Sequence, residues 1–254
     1  MKLLGVRVDT MTKKQLYDRI ILGGKKNEQL LIFTPNPEMI VRAQRDQYFQ
    51  DVLNSGDINI CDGVGIRLFA GKKVRRYTGV DCVYDICALA EEKGWRVYIV
   101  GSGDMSVVRR CEKELRAYYP NIRIVGVNPG PAIVEESVGG KIIAVSKDEE
   151  VEDVLLHDII MTEPEILFVG FGHGKQEKWI FEHVKSLPSV RVAVGVGGSI
   201  DYIAKKIKRA PRWIRLCGGE WLFRLIVQPV RYKRIWDATI VFVWYNILHK
   251  IQKK

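Results

Sequence analysis

Short apolar runs alternate with longer amphipathic stretches along most of the chain. The short runs have the length and composition of buried strands, and turn-forming residues follow most of them. Proline, threonine or aspartate stands where several of the longer stretches begin, as is typical of helix N-termini. The predicted strands are 30–33, 58–61, 96–100, 122–125, 166–169 and 192–194. The predicted helices run from 37 to about 54, after 78–79, after 103–104 and over 150–161.

This alternation predicts an α/β fold. Crossover helices connect parallel strands, so we expect a Rossmann-like, mostly parallel sheet covered by helices on both faces. Five of the predicted strands end in Gly, Asn or Asp turns, which include Asn36, Asp62, Gly101, Gly170 and Gly195. Ligands bind outside the carboxyl ends of the strands in open α/β sheets. These turns are therefore expected to line the pocket.

Residues 131–148 do not fit the alternating pattern. Gly139-Gly140 separates two apolar patches, and the second patch, 141–145, predicts a short extra strand or a hairpin.

The basic residues are concentrated at the end of the chain. The whole chain carries a net charge of +10, but residues 203–254 alone contain thirteen Lys or Arg against two acids. The same segment, called the appendage below, contains four of the six tryptophans and an almost wholly apolar run over 238–248. We therefore divide the chain into an α/β core, 1–202, and a basic, helical appendage, 203–254.

Two interpretations of the appendage remain open. Its basic residues and tryptophans are typical of a segment that docks on an anionic membrane surface, whereas its apolar run could equally pack on the core; both can hold for different faces of one helix. Nucleic-acid binding is the alternative from another class, although an apolar run has no use on a phosphate backbone.

The sequence also indicates where the protein is located. The apolar run is too short to span a bilayer. Charged residues appear too early at the N-terminus for the apolar region of a signal peptide. We expect a cytoplasmic protein, peripheral on the inner face of the membrane.

Several common catalytic motifs are missing from the sequence. It has no GxxxxGK[ST] loop, no GxSxG turn, no Asp-x-Asp pair and no metal-type histidine spacing. The pair Gly101 and Gly103 begins a dinucleotide-type turn, but Ser106 occupies the third glycine position, which disfavours an NAD-dependent dehydrogenase. We expect no metal and no cofactor. A bound diphosphate would then be held by helix N-termini, backbone N–H groups and Arg or Lys.

Asp62 is the acid that most resembles a catalytic group. It follows an apolar strand and precedes Gly63, at the edge of the sheet where ligands bind. Partial burial would raise its pKa and suit it to act as a general base. A structural role as the N-cap of a helix from Val64 is about equally consistent with this spacing.

Taken together, the motifs resemble those of the WecG/TagA/CpsF glycosyltransferases, glycosyltransferase family 26. The resemblance covers nearly the whole chain. Its most specific part is a Lys-Gln-Glu block that is followed, in this order, by an Arg-Ala-Pro block and a Glu-Trp block. The matching segments are 4–6, 34–38, 62–66, 78–81, 175–179, 195–198, 209–211, 220–224 and 229–234.

The resemblance implies an inverting, metal-independent transfer from a UDP-sugar to an undecaprenyl-diphosphate-linked N-acetylglucosamine. The sugar is N-acetylmannosamine in TagA-like members, its uronic acid in WecG-like members and glucose in others. It also implies that Asp62 is the general base, with Thr34 beside it as a second catalytic residue. Acceptor contacts are implied for Asn36, Arg224, Arg231 and Arg234, and a donor contact for Gln176. We further expect donor contacts at its neighbours Lys175 and Glu177 and at the turn glycines Gly101, Gly103, Gly172 and Gly198.

The sequence departs from the family pattern on the donor side. Gly174 stands where the family usually has proline, with His173 before it, and Ser199-Ile200-Asp201 replaces a small residue, Phe and Asp. Residues 139–148 are an apparent insertion. These differences leave the transferred sugar open, and the sequence also leaves open whether the chain forms a homo-oligomer.

Overall fold

The computed structural model describes residues 1–26, 28–61, 63–70, 77–208, 210–211, 213–214 and 217–252, without the side chains of 64, 68, 70, 224, 231 and 252. Its strands are β1 (Lys2–Leu3), β2 (Val6–Arg7), β3 (Leu30–Phe33), β4 (Ile58–Asn59), β5 (Arg96–Gly101), β6 (Arg123–Asn128), β7 (Ile133–Val138), β8 (Lys141–Ser146), β9 (Ile166–Gly170) and β10 (Val192–Gly195).

The helices of the described residues are α1 (Lys13–Lys25), α2 (Pro37–Ala43), α3 (Gln47–Ser55), α4 (Val64–Ala70), α5 (Gly79–Lys93), α6 (Met105–Tyr118), α7 (Glu149–Thr162), α8 (Lys175–His183) and α9 (Ser199–Ile203). The appendage adds α10 (Glu220–Val227), α11 (Tyr232–Trp236) and α12 (Phe242–Gln252), with a π-helical turn, Asp237–Val241, between the last two. Short 3₁₀ turns occupy Val184–Ser186 and Pro229–Arg231.

Six strands form one parallel sheet in the order β4-β3-β10-β9-β5-β6. Alternate residues of each strand enter two separate cores. Tyr98 and Val100 pack with α2, α3, α7 and α8 on one face, whereas Val97 and Ile99 pack with α1, α5 and α6 on the other. This confirms the predicted α/β sheet with helices on both faces. Burial on both faces also explains why the strands are continuous apolar runs rather than alternating ones.

The helix predicted from 37 to about 54 is in fact two helices. Asp46 adopts an extended conformation and its carboxylate accepts the N–H of Phe49, which ends α2 and begins α3. The second carboxylate oxygen of Asp46 contacts the buried ammonium of Lys178 at 2.7 Å. The capping bond to Phe49 is local in the sequence, but the hydrophobic periodicity of 37–54 does not indicate it; only the Lys178 contact depends on the tertiary fold.

Residues 133–146 form the hairpin predicted as one of the alternatives for this region. Strands β7 and β8 pair antiparallel, and Gly139 and Gly140 make the turn with φ angles of +57° and +78°. Two successive positive φ angles are the requirement of a type I′ turn, which glycine meets without strain. The hairpin packs against α3 and α8.

The appendage packs on the core with one face and is exposed on the other. Phe242 is buried, with its ring edge-on to Phe69 at 5.5 Å, and Asn246 is buried behind it. Trp244 and Ile247 of the same helix are exposed. Among the described residues, no helix has the length and apolar content needed to cross a bilayer. The division of the chain at residue 202 stays a prediction.

Candidate active site

A pocket of about 390 Å³ lies at the carboxyl edge of the sheet. The turns after β3, β5, β9 and β10 meet there with the N-terminus of α5 and with α11 of the appendage. Among the predicted site residues, the pocket is lined by Thr34, Asn36, Gly103, Gly172, Gln176, Gly198 and Arg234. Turns that the strand ends predicted, and residues that only the resemblance implied, such as Gln176 and Arg234, are thus brought together.

Thr34 and Asn36 are fixed by the ends of β3 and α2. The Thr34 hydroxyl is buried and donates to the carbonyl of Gly195 at 3.2 Å, joining the ends of two neighbouring strands. The Asn36 side-chain oxygen accepts the N–H of Met39 at 3.0 Å and so caps α2. Both residues therefore reach the pocket from rigid positions.

Asp62 lies outside the described residues. Its sequence neighbours Cys61 and Gly63 follow β4, and Gly63 has a φ of +150° with no room for a side chain beside the Pro37 ring. Gly63 therefore lies next to the beginning of α2. The assignment of Asp62 as general base stays a prediction.

The Lys-Gln-Glu block is largely a structural support of the pocket. The fully buried Glu177 accepts the N–H of Gly174 at 2.6 Å and the side-chain amide of Gln176 at 2.7 Å. Gln176 in turn accepts the N–H of Gly197 at 2.9 Å. Burial raises the pKa of Glu177 to about 7. These three bonds hold the glycine turn after β10 against the start of α8.

Lys175, Glu177 and Gly101 are not among the described residues that line the pocket. The Lys175 ammonium instead donates to the carbonyl of Ile133 at 2.6 Å, at the base of the hairpin. The donor contacts predicted for these three residues stay predictions.

Gly174 gives a structural reason for one departure in the sequence. Its φ is +84°, and its N–H donates to Glu177. Proline can neither adopt this angle nor donate this bond, so the turn before α8 requires glycine in this chain.

Arg234 enters the pocket wall from the appendage. Its guanidinium makes two bonds to the Glu38 carboxylate, at 2.7 and 3.2 Å, and lies 2.6 Å from Nδ1 of His173. The side chains of Arg224 and Arg231 lie outside the described residues, so their predicted contacts stay predictions.

Sequence patterns did not single out some residues that line or support the pocket. Ser102 has a φ of +68° and its hydroxyl donates to Asp201 at 3.0 Å, which links the turn after β5 to α9. Lys178 is fully buried between Asp46 and Glu135, at 2.7 and 2.8 Å. A lysine in a charged block has the pattern of an exposed residue, and its partners are distant in the sequence. No local signal could have identified it.

A profile described as the glycosyl transferase WecG/TagA/CpsF family matches residues 1–254. This chain belongs to that family. It is therefore a glycosyltransferase, and the resemblance seen in its motifs is confirmed. Nucleic-acid binding, the alternative raised by the basic appendage, finds no support in this match.

Curated relatives share much of the chain with this WecG/TagA/CpsF member. The N-acetylglucosaminyldiphosphoundecaprenol N-acetyl-beta-D-mannosaminyltransferase of Bacillus subtilis (strain 168) is 30% identical over 209 residues, which is 81% of this chain and 74% of the relative. The protein of the same name in Staphylococcus aureus (strain NCTC 8325 / PS 47) is 27% identical over 259 residues, which is 99% of this chain and 93% of the relative. The similarity therefore extends through both the core and the appendage.

The described part of this family member contains no group of three or more His, Cys, Asp or Glu residues that could hold a metal ion. The charged groups that it does bring to the pocket wall include Asp201, Glu220 and Arg234. The groups that could bind a phosphate in the described pocket are thus the backbone N–H groups of its glycine turns, the N-terminus of α5 and the guanidinium of Arg234.

Proposed function

We propose that this chain transfers N-acetylmannosamine from a UDP-linked donor to undecaprenyl-diphosphate-linked N-acetylglucosamine. The observation that carries the proposal is the pocket itself, in which glycine turns, the α5 N-terminus and an appendage arginine surround one space. Such a site suits two diphosphate-bearing substrates. The names of the curated relatives supply the sugar and the acceptor.

The donor diphosphate is proposed to lie between the N-terminus of α5 and the turn at Gly197 and Gly198. The Thr78 side chain caps α5, and Gly79 packs so closely on Ser199 that a side chain there would crowd its hydroxyl. Backbone N–H groups at a helix N-terminus stabilise the charge that develops on a leaving nucleoside diphosphate. In this proposal Gln176 holds the same turn by accepting the N–H of Gly197, and Ser102 and Asp201 form the adjoining wall of the pocket.

The acceptor is proposed to enter beside Thr34 and Asn36. Asp62 would accept the proton of the attacking sugar hydroxyl, because a hydroxyl of high pKa needs one positioned base. Arg234, with Arg224 and Arg231, would bind the acceptor diphosphate, since a guanidinium offers a planar set of donors that fits phosphate oxygens.

The appendage is proposed to dock the enzyme on an anionic membrane, where a polyprenyl acceptor resides. More than half of the exposed large apolar side chains of the described residues belong to the appendage, although it is about a fifth of the chain. Trp221, Ile226 and Trp244 are among them. Basic residues near an anionic surface each contribute about 1 kcal/mol to such docking.

A donor panel tests the proposed activity. Purified full-length protein would be given UDP-N-acetylmannosamine, its uronic acid or UDP-glucose, with a short-chain prenyl-diphosphate-N-acetylglucosamine acceptor. We expect the highest kcat/KM with UDP-N-acetylmannosamine and no loss of turnover in EDTA. A preference for another donor would overturn the sugar assignment. Loss of turnover in EDTA, restored by magnesium or manganese, would overturn metal-independent transfer.

A further inference from the structure

Three side chains form a charged cluster where the appendage meets the core. The cluster consists of Glu38 in the first turn of α2, His173 in the turn after β9 and Arg234 of α11, and is called the Glu38 cluster below. Arg234 Nε donates to Glu38 Oε1 at 2.7 Å and Nη2 donates to Glu38 Oε2 at 3.2 Å. His173 Nε2 lies 3.2 Å from Glu38 Oε1. His173 and Arg234 both line the pocket.

The hydrogen bonds of the cluster leave one edge of the guanidinium for a ligand. Arg234 has five N–H hydrogens, and Nε and Nη2 carry three of them. Those three face Glu38 and His173 Nδ1, at 2.6 Å for the last contact. The two hydrogens on Nη1 have no partner among the described residues. Glu38 and His173 together therefore hold the far side of the guanidinium.

The proton on His173 is fixed by the same geometry. Nδ1 must accept from Arg234, since an Arg nitrogen can only donate, so the proton of the neutral ring is on Nε2, which lies 3.2 Å from Glu38 Oε1. The carboxylate of Glu38 is thus engaged on two sides, and it stands in the first turn of α2, where the helix dipole favours negative charge.

We propose that Glu38 is a positioning residue that holds the Arg234 guanidinium over the pocket for the pyrophosphate of the acceptor. The proposal rests on the proposed function, in which Arg234 meets that diphosphate. An arginine at a partly exposed site loses side-chain freedom when it binds a ligand, and a fixed carboxylate partner removes much of that freedom beforehand. Glu38 is accordingly not a proton acceptor in the reaction, because its carboxylate is already bound to a cation.

A second ion pair between the core and the appendage provides a matched control. Arg45, between α2 and α3, lies 3.7 Å from Asp237 at the start of the π-helical turn. Neither residue is among the described residues that line the pocket. Asp237→Asn therefore weakens the seating of the appendage without touching the cation at the pocket.

The test uses steady-state kinetics of the full chain with UDP-N-acetylmannosamine and the soluble short-chain acceptor, so membrane docking does not enter. We expect Glu38→Gln to lower kcat/KM for the acceptor about 10- to 100-fold, the range of coupling between contacting charged groups. UDP affinity by calorimetry and the melting temperature should stay close to wild type. Glu38→Asp should recover part of the loss, and Asp237→Asn should stay within about 3-fold of wild type. The double variant Glu38→Gln/Arg234→Ala should be no worse than Arg234→Ala alone.

Each other outcome has a defined meaning. Wild-type acceptor kinetics in Glu38→Gln while Arg234→Ala is impaired would overturn the positioning role and leave the proposed function standing. Additive losses in the double variant would overturn it as well. If Glu38→Gln lowered UDP affinity as much as acceptor kcat/KM, or clearly lowered the melting temperature, Glu38 would have only a structural role. Full activity of Arg234→Ala would remove Arg234 from the acceptor site, and the positioning role with it, whereas the donor panel would still decide the transfer reaction.

Discussion

At the scale of single residues, Glu177 shows how a buried charge can organise a pocket without lining it. Its carboxylate accepts two hydrogen bonds at the start of α8, one of them from the side-chain amide of Gln176. Gln176 in turn accepts the N–H of Gly197 and so fixes the turn after β10. Desolvation outweighs these favourable contacts and raises its pKa to about 7. The folded protein therefore holds this proton over a pH range in which the unfolded chain has lost it.

This raised pKa gives a direction for stability against pH. Between the unfolded value of 4.5 and about 7, the folded state binds more protons than the unfolded state, so the contribution of Glu177 to stability falls as pH rises. We expect the melting temperature of wild type relative to Glu177→Gln to fall from pH 4.5 to 7 and to level off above 7. The exposed Glu150→Gln is the control, and its difference from wild type should stay flat over this range. Parallel curves for wild type and Glu177→Gln would contradict a raised pKa at this site.

At the scale of elements, the hairpin of β7 and β8 is tied to the pocket by charge. Glu135 pairs with Arg42 of α2 and with the buried Lys178 of α8 at 2.8 Å. Although burial raises the pKa of Glu135, hydrogen bonds from Arg42 and Lys178 outweigh it and keep the pKa below its ordinary value. The stability from Glu135 is therefore present above pH 4.5 and is lost as pH falls through the lowered pKa.

Neighbouring glutamates of the hairpin test this attachment. Glu135→Gln leaves the Lys178 ammonium with one carboxylate fewer, and we expect it to lower the free energy of unfolding by about 1–3 kcal/mol at pH 7. Glu136 is exposed on the same strand, and Glu136→Gln should change stability by less than about 0.5 kcal/mol. Denaturant unfolding at pH 7 and at pH 4 measures both. An equal effect of the two substitutions would show that the ion pair contributes nothing.

Prediction from the sequence succeeded where information is local. The strands at 30–33 and 166–169, the caps at Thr78 and Asp104 and the glycine turn at 139–140 follow from periodicity, capping and turn chemistry. It missed the N-cap at Asp46, a local signal, because the periodicity of 37–54 was interpreted as one helix. It could not find Lys178 or the Glu38 cluster, because their contacts depend on partners more than 60 residues away, whose positions are set only by the sheet order.

At the scale of the whole molecule, the appendage is both part of the fold and a candidate docking surface. Phe242 completes the core between α2 and α4, while Trp244 and Ile247 lie on the outer side of the same helix. Deleting residues 203–254 would therefore uncover the core as well as remove the basic surface. Substitutions on one face at a time separate the two roles.

We expect Trp244→Ser/Ile247→Ser to weaken sedimentation with anionic phospholipid vesicles and to leave the melting temperature near wild type. The two side chains are exposed in the free protein, so their removal affects the bound state far more than the fold. Phe242→Ala is the converse control and should lower the free energy of unfolding by about 3–5 kcal/mol. Unchanged vesicle binding of the double variant would remove this face from membrane docking.

The central claim is that the pocket at the carboxyl edge of the sheet transfers a sugar, with the carboxylate of Asp62 as base. Turnover of Asp62→Asn tests it most directly, since asparagine keeps the size and capping ability of aspartate but cannot accept the proton. With UDP-N-acetylmannosamine and the short-chain acceptor, we expect kcat to fall by about 10²–10⁴-fold while UDP affinity and melting temperature change little. Near-normal turnover in a normally folded Asp62→Asn protein would contradict the account.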